Sequence, residues 1–596
     1  MSGMPDPHPQ TRSAHGVGRW GPPLAMLVAA LAVVAPLLRP GYVLTYDMVF
    51  VPRQPWAPAL VGLGSATARA VPSDLLVVLA SHVVPGQVVQ KAILLGVLAF
   101  AGWGAARLVP AGGVTPYAAG LAYLWSPFTG ERLLLGQWPV LLASAALPWL
   151  VGGLVAVGRG EAKGWLSTVV ALVVAAVAGP PGWILAALAT MASLVVGGVL
   201  DAAGDRRQRI RMAGLGSAAL VVLALPWAVP ALLRPHRPVS DRLAAQVFAA
   251  RADSVLGSWG SVLTGGGVWN RAAEPPGRGS VLAGVLGVLL LVLAVAGLVL
   301  GRADATVRLV AGLGILGLAV ALASLVPFVR DAVADLPGGA LLRDATRFLA
   351  AWQLAVAVGA GTALERLIRS LPRDARAVPW ALAVLPVVLL PGLAWGVGAR
   401  LHPVHYPRDF AAVEHLIGAD ERPGAVVVLP FTTYRQYPWN PSRPVLGVVP
   451  RWLDRVTVAA GDLPVGVGPG TVTVSGDDPL AAAVGERLAG PGGAAGLGTL
   501  GVRWVVVDAP LPETQLAGLI PRRTAGVVRV YEVPVVDAAR ATDPERGYRA
   551  PTAPVVAAGA VTVAGVLVAL VLAGRAARAT RRPVLQKQSS GSADAS

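Results

Sequence analysis

Stretches of roughly 18–22 apolar residues, almost free of charge, recur along this chain, and that is the length a helix needs to cross a hydrocarbon core about 30 Å thick. In lipid the backbone must satisfy its own hydrogen bonds, so each such block is committed to a helix. A water-soluble core has no reason to repeat the block a dozen times. Charged residues form only 14% of the 596 positions and hydrophobic residues 55%, against about 25% charged in soluble domains. Mean hydropathy is +0.63. The chain reads as an α-helical polytopic membrane protein with about 12 transmembrane helices, at 22–38, 92–109, 114–128, 138–157, 165–179, 183–200, 213–233, 281–301, 309–327, 348–367, 378–398 and 552–574.

The net charge of +17 would suggest a nucleic-acid partner in a soluble protein. Here the surplus sits in the short loops 158–163, 205–211, 302–308 and 366–376 and in the tail that carries Arg575, Arg578, Arg581 and Arg582. Cytoplasmic loops collect Arg and Lys, so topology explains the charge and no nucleic acid is expected. All these clusters fall on one side when the N-terminus is cytoplasmic. That orders the chain into a cytoplasmic segment 1–21 and a transmembrane domain 22–399 with external loops 40–91, 234–279 and 329–347. An extracytoplasmic domain 400–549, a final helix 552–574 and a basic, disordered cytoplasmic tail 575–596 follow. Lys occurs only at Lys91, Lys163 and Lys587; with the Ala, Val and Gly richness this reads as the codon usage of a high-GC bacterium, hence a bacterial cell membrane. The chain has no Cys, which excludes disulfides, thiolate nucleophiles and Cys-ligated metals.

The external domain has a mixed α/β signature. Residues 409–417 and 480–488 read as helices, and 425–430, 502–508 and 527–534 as strands. No Walker-type phosphate loop, HExxH or G-x-S-x-G elbow occurs, so no nucleotide cofactor is expected.

Ionisable groups in the loops at the membrane surface are the candidates for chemistry. Asp47 stands in the apolar, aromatic run GYVLTYDMVFVPRQPW just past the first helix. Burial would suit it to general-base work; the plain alternative is an acid that caps a loop. Arg53 follows six residues on, and the apolar segment 73–86 carries Asp74 and His82. In SPFTGERLLLGQW (126–138), Glu131 and Arg132 either pair with each other or line a site. Gln137 and Trp138 either line a sugar or lipid site or, for the Trp, anchor the interface. In LLRDATRFLAAWQ (341–353), Arg343, Asp344 and Arg347 stand at the outer start of a helix. Two guanidiniums three or four residues apart share a helix face, and Arg forks suit phosphate oxygens. Headgroup anchoring or an ion pair with Asp344 is the competing account. In the external domain His402, His405 and Arg408 precede the first helix, and Tyr434, Arg435, Tyr437, Trp439 and Asn440 form a loop fit for carbohydrate or for packing. Asp477 and Asp478 read as a solvated turn.

Taken together, SPFTGERLLLGQWPVLL (126–142), LRDATRFLAAW (342–352) and LGVRWVVVD (500–508) resemble GT-C membrane glycosyltransferases, in particular the YfhO-like and arabinofuranosyltransferase-like membrane proteins. The resemblance spans most of the chain through loose motifs. It implies a polyprenyl-phosphate-linked sugar donor, a glycan or glycolipid acceptor, the lipid bilayer as setting and reaction at the outer face with inversion. Carried over, the base is Asp47, and Arg343 and Arg347 hold the donor phosphate. The first loop has no Asp-x-Asp or Glu-x-Asp, which leaves dependence on a divalent cation open. Two rival readings stand beside it. A transporter or flippase of a lipid-linked sugar calls for polar groups midway through helices and broken helices in repeated halves, and the helix interiors show almost no such groups. A non-catalytic membrane protein of envelope assembly with the same fold is the other.

Overall fold

The computed structural model describes residues 17–68, 70–200, 206–235, 242–372, 375, 377–441, 443–467 and 470–579. The N-terminal segment before residue 17 and the basic tail beyond 579 lie outside the described residues, as do 201–205 and 236–241 in two of the loops.

Among the described residues, eight helices are long and apolar enough to cross a membrane: Trp20–Leu38, Gly86–Ala106, Trp138–Gly158, Ile210–Leu233, Val281–Leu300, Ala305–Ala323, Ala345–Ser370 and Thr552–Arg578. Two further apolar helices, Lys163–Val177 and Pro180–Val196, are shorter. The remaining two expected spans are broken, each at prolines. Segment 114–128 is a helix over Thr115–Leu124 that ends at Trp125; Ser126, extended, then caps a second helix, Pro127–Leu134. Pro127 has no N–H to donate and disfavours a helical residue before it. Segment 378–398 divides into Ala377–Ala383, Leu385–Leu389, a turn at Pro391–Leu393 and Ala394–Ala399. Trp395 through Gly398 take left-handed backbone angles, a conformation that costs about 1–2 kcal/mol at a non-glycine residue. The two glycines in that run relieve half of the turn.

The helix Ala345–Ser370 is the hub, 89% buried over its apolar window, whereas Ile210–Leu233 and Thr552–Arg578 are 11% buried and turn Val and Leu side chains outward. Lipid, not protein, solvates such faces. Small residues let helices meet at the hub. A Cβ on Gly359 would collide with the Ala294 carbonyl oxygen, and one on Gly297 with that of Gly359, so the two backbones touch.

The region after residue 400 holds a five-stranded sheet in the order Ile520–Arg523, Arg529–Glu532, Val502–Val507, Ala425–Leu429, Thr457–Val458. The first three strands run antiparallel and the last three parallel. Strands alternate side chains between faces. Val426, Val428, Trp504 and Val506 therefore join the core that continues into the helix bundle, while Val427, Leu429, Val505 and Val507 pack under the helix Pro479–Ala489. The expected strands and both expected helices are present.

The first loop is stitched into this region. Tyr42–Val43 pairs antiparallel with Pro403–Val404, and Tyr46 bridges to Val445. Asp477 and Asp478 also meet this loop rather than forming a solvated turn: Asp477 accepts from Thr67, and Asp478 caps the helix Pro479–Ala489.

Candidate active site

Gly136 sets the geometry. Its φ is +69°, and a Cβ there would collide with the Thr45 carbonyl oxygen and with Met48. Only glycine takes both that angle and that contact freely. The approach lets Asp47 N donate to Leu135 O (3.1 Å) and Thr45 Oγ1 to Leu134 O (2.7 Å). Asp47 is thereby laid beside Gln137. From the other side the domain grips Tyr46, whose N–H donates to Pro444 O (2.8 Å) while Leu446 N donates to Tyr46 O (2.9 Å). Tyr46 is held at φ +35°, a strained angle for a residue with a Cβ that persists only because its surroundings fix it.

The Asp47 carboxylate accepts two hydrogen bonds. Tyr434 OH donates to Oδ1 (2.6 Å) and Gln137 Nε2 to Oδ2 (3.2 Å). Burial first, and then the Asp47 charge, push the Tyr434 phenol well above its ordinary range, so it stays protonated and donates. Gln137 is oriented in turn by Arg132, whose Nη1 donates to Gln137 Oε1 (2.7 Å) and to Asp344 Oδ2 (3.1 Å); Nη2 reaches Thr346. Asp344 also holds Arg347 (2.9 Å) and accepts from Thr346 Oγ1 (2.9 Å). Burial pushes Asp344 up, but Arg132, Arg347 and Thr346 together outweigh it and hold the carboxyl below its ordinary range.

Asp47 opens onto a cavity of about 380 Å³, within the size range of small-ligand sites. Its polar lining is Asp47, Arg251, Asn270, Arg271 and Tyr434, and Tyr46 and Trp269 supply aromatic faces. Leu463 to Gly466, from a hairpin of the sheet-containing region, form one wall. The cavity thus joins an acid, two guanidiniums and aromatic surface, with parts drawn from loop one, the loop 242–280 and the domain.

The residues expected at the site divide. Asp47, Gln137, Arg132, Asp344 and Arg347 form one connected network. Glu131 is fully buried and does not pair with Arg132; its Oε1 accepts from Val268 N (3.4 Å). Arg343 and Arg347 do not share a helix face, because 339–342 and 345–348 are separate 3-10 turns and the α-helix starts at Leu349. Arg343 instead stacks over Phe248 (4.9 Å), which packs on Trp269 (4.6 Å). Trp138 is buried against Phe50 and does not line the cavity. Asp74 pairs with Arg451 (3.0 Å), Arg53 is exposed, and His82 lies against Trp56. His402, His405 and Arg408 are exposed. In the polar–aromatic loop, Tyr434 reaches the site, whereas Arg435 and Tyr437 bond Asp508 and Trp439 stacks on Tyr437.

Sequence reasoning passed over Arg251, Trp269, Asn270 and Arg271. The one available signal was the Trp-Asn-Arg run at 269–271 in a long loop on the same side as Asp47. Among the described residues no three or more His, Asp or Glu side chains gather as a metal site.

The architecture is an α-helical polytopic membrane fold with a sheet-containing C-terminal region. Among solved structures, the cryo-EM structure of the arabinofuranosyltransferase AftD from Mycobacteria is similar over 87% of this chain, with 17% identity and a TM-score of 0.56. A point-mutant form of the same protein gives 17% identity over 87% of this chain and a TM-score of 0.53. This chain spans only about 40% of AftD's length, 40% and 42% in the two comparisons. No protein-family model and no curated protein matches the chain.

Proposed function

We propose that this protein is a membrane glycosyltransferase of the bacterial cell envelope. It moves a sugar from a polyprenyl-phosphate-linked donor to a glycan or glycolipid acceptor at the outer face. The observation that carries the reading is Asp47, fixed by two donors on the wall of a cavity that also presents Arg251 and Arg271. The likeness in fold to a protein described as an arabinofuranosyltransferase supports it. The orientation follows from charge: Arg159, Lys163, Arg302 and Arg308 lie at the other end of the bundle, where Arg159 and Asp304 join two of the loops (3.9 Å). Such loops stay in the cytoplasm.

In the reaction, the acceptor hydroxyl oxygen attacks the anomeric carbon as the bond from that carbon to the donor's phosphate oxygen breaks. Asp47 takes the hydroxyl proton, and the polyprenyl phosphate leaves with the bonding electron pair. Attack opposite the leaving group inverts the anomeric centre. Arg251 and Arg271 meet the charge that grows on the phosphate, where forked, charge-assisted hydrogen bonds are strong. Arg347, bound to Asp344, lies near Tyr434. Tyr434 and Gln137 hold the carboxylate still, which is the positioning such a displacement needs. The acid's neighbours are a phenol and an amide that both donate to it. That set does not fit a divalent cation, and no step here runs through one.

Asp47→Asn tests the reading. It keeps the shape and removes the base, so transfer from a lipid-linked sugar is expected to fall by about 10²–10⁴-fold, with membrane insertion and melting temperature unchanged. Wild-type turnover in that variant would end the assignment.

A further inference from the structure

Glu131, on the helix Pro127–Leu134, is fully buried, and so are Asp253 and Arg278 opposite it. Arg278 Nε lies 3.4 Å from Asp253 Oδ2, and its Nη2 donates to Thr264 Oγ1 (2.6 Å) and Ser261 O (3.3 Å). Asp253 Oδ2 also accepts from Gly267 N (3.0 Å). Among the described residues, two buried carboxyl oxygens here, Glu131 Oε2 and Asp253 Oδ1, have no hydrogen-bond donor, and the buried Arg278 Nη1 and Arg132 Nε have no acceptor. The two carboxyl groups face each other within hydrogen-bonding reach. One guanidinium thus serves two carboxyls, and Arg132, the other cation beside Glu131, is engaged by Asp344, Thr346 and Gln137. Glu274 adds a further acid toward Asp253, with Arg251, Arg271 and Arg400 around it.

We propose that Glu131 is a protonated positioning residue, its carboxyl proton shared with Asp253 in a buried bridge that holds the cavity wall against the helix bearing Arg132. One proton gives both orphaned oxygens a partner and leaves Asp253 and Arg278 as a neutral pair. Two ionised carboxylates in contact would leave an uncompensated buried charge, which proteins avoid by raising the pKa of one member. The bridge joins two halves of the site. Glu131 lies one residue before Arg132, which orients Gln137 and through it Asp47; Asp253 anchors the loop that carries Arg251, Trp269, Asn270 and Arg271. Its role in transfer rests on the glycosyltransferase reading, whereas the bridge itself does not. Burial, and next the charge of Asp253, push Glu131 well above the ordinary carboxyl range, with Arg132 and Arg278 offsetting only part.

The sign of the pH effect follows. A carboxyl with a folded-state pKa above its unfolded value of about 4.3 contributes stability that is complete below that value. That stability is lost as pH rises toward the folded pKa. Glutamine keeps the N–H donor to Asp253 and cannot ionise. We would therefore melt the full-length wild type, Glu131→Gln and Glu131→Ala in lipid nanodiscs between about pH 5 and about pH 9. The wild-type melting temperature is expected to fall with pH more steeply than that of Glu131→Gln, and Glu131→Ala to be destabilised throughout. In sugar transfer, Glu131→Gln should stay within about threefold of wild type at neutral pH, the worth of one hydrogen bond, and lack the wild-type decline at alkaline pH. Parallel melting curves for wild type and Glu131→Gln, or a Glu131→Gln variant as impaired as Glu131→Ala, would overturn the bridge. An inactive wild type would instead count against the glycosyltransferase reading and leave the melting comparison to decide the bridge.

Discussion

Arg251 and Arg271 show what a single side chain contributes. Each lines the cavity that holds Asp47, and Arg251 Nη1 also donates to Trp269 O (3.4 Å). A charge-assisted hydrogen bond is worth about 1.5–3 kcal/mol, or roughly 10–100-fold in affinity. Arg251→Ala and Arg271→Ala are each expected to raise the donor KM by that factor with little change in melting temperature, as measured by steady-state kinetics on a lipid-linked sugar. Arg343→Ala removes a guanidinium stacked on Phe248 and should leave donor KM nearly unchanged. At this scale the sequence was partly readable. Asp47 stood out because a carboxylate in an aromatic, apolar loop has few structural uses. Arg251 and Arg271 did not, since an irregular loop has no periodicity by which to rank its arginines. Trp138 misled for the opposite reason: an aromatic residue after a loop looks like a binding surface until Phe50 is seen to cover it.

The loop between the strand Ala425–Leu429 and the short helix at Val449–Trp452 acts as one element. Asp508, just past the strand Val502–Val507, accepts from Arg435 Nε (2.7 Å) and Tyr437 OH (2.8 Å) and so fixes the segment that presents Tyr434 to Asp47. Arg435 and Asp508 are fully buried. Removing one partner of a buried ion pair destabilises by about 3–5 kcal/mol. Asp508→Ala should therefore lower the melting temperature and suppress transfer, although it lies away from the cavity; thermal unfolding alongside the transfer assay checks both. Elements were legible where a period was clear. The strands at 425–429 and 502–507 are continuous Val-rich runs buried on both faces, the signature of a parallel core. The 3-10 turns at 339–342 and 345–348, just before the α-helical part of the hub, were not, because they carry the same apolar residues as an α-helix and differ only in their hydrogen bonds.

Over the whole molecule, the groups of the site gather at one end of the bundle, and the loops that carry Arg159, Lys163, Arg302 and Arg308 lie at the other. The absence of cysteine makes that arrangement easy to probe. A membrane-impermeant thiol reagent should label an Ala411→Cys variant in intact cells and an Ala303→Cys variant only after permeabilisation; both positions are exposed. The reverse pattern would place the cavity in the cytoplasm and remove the lipid-linked donor at the outer face. The number of apolar blocks could be counted from the sequence, and their breaks at Pro127, Pro386 and Pro391 were visible as residues but not as kinks. The stitching of loop one into the region after residue 400 was beyond any local pattern, since Tyr42–Val43 finds its partner only at Pro403–Val404. That pairing has a consequence in time. A ribosome that has already released Asp47 must synthesise more than half of the chain before the partner strand emerges, and Tyr434 comes later still. A nascent or truncated polypeptide that ends before residue 403 carries Asp47 on a loop without its partner strand.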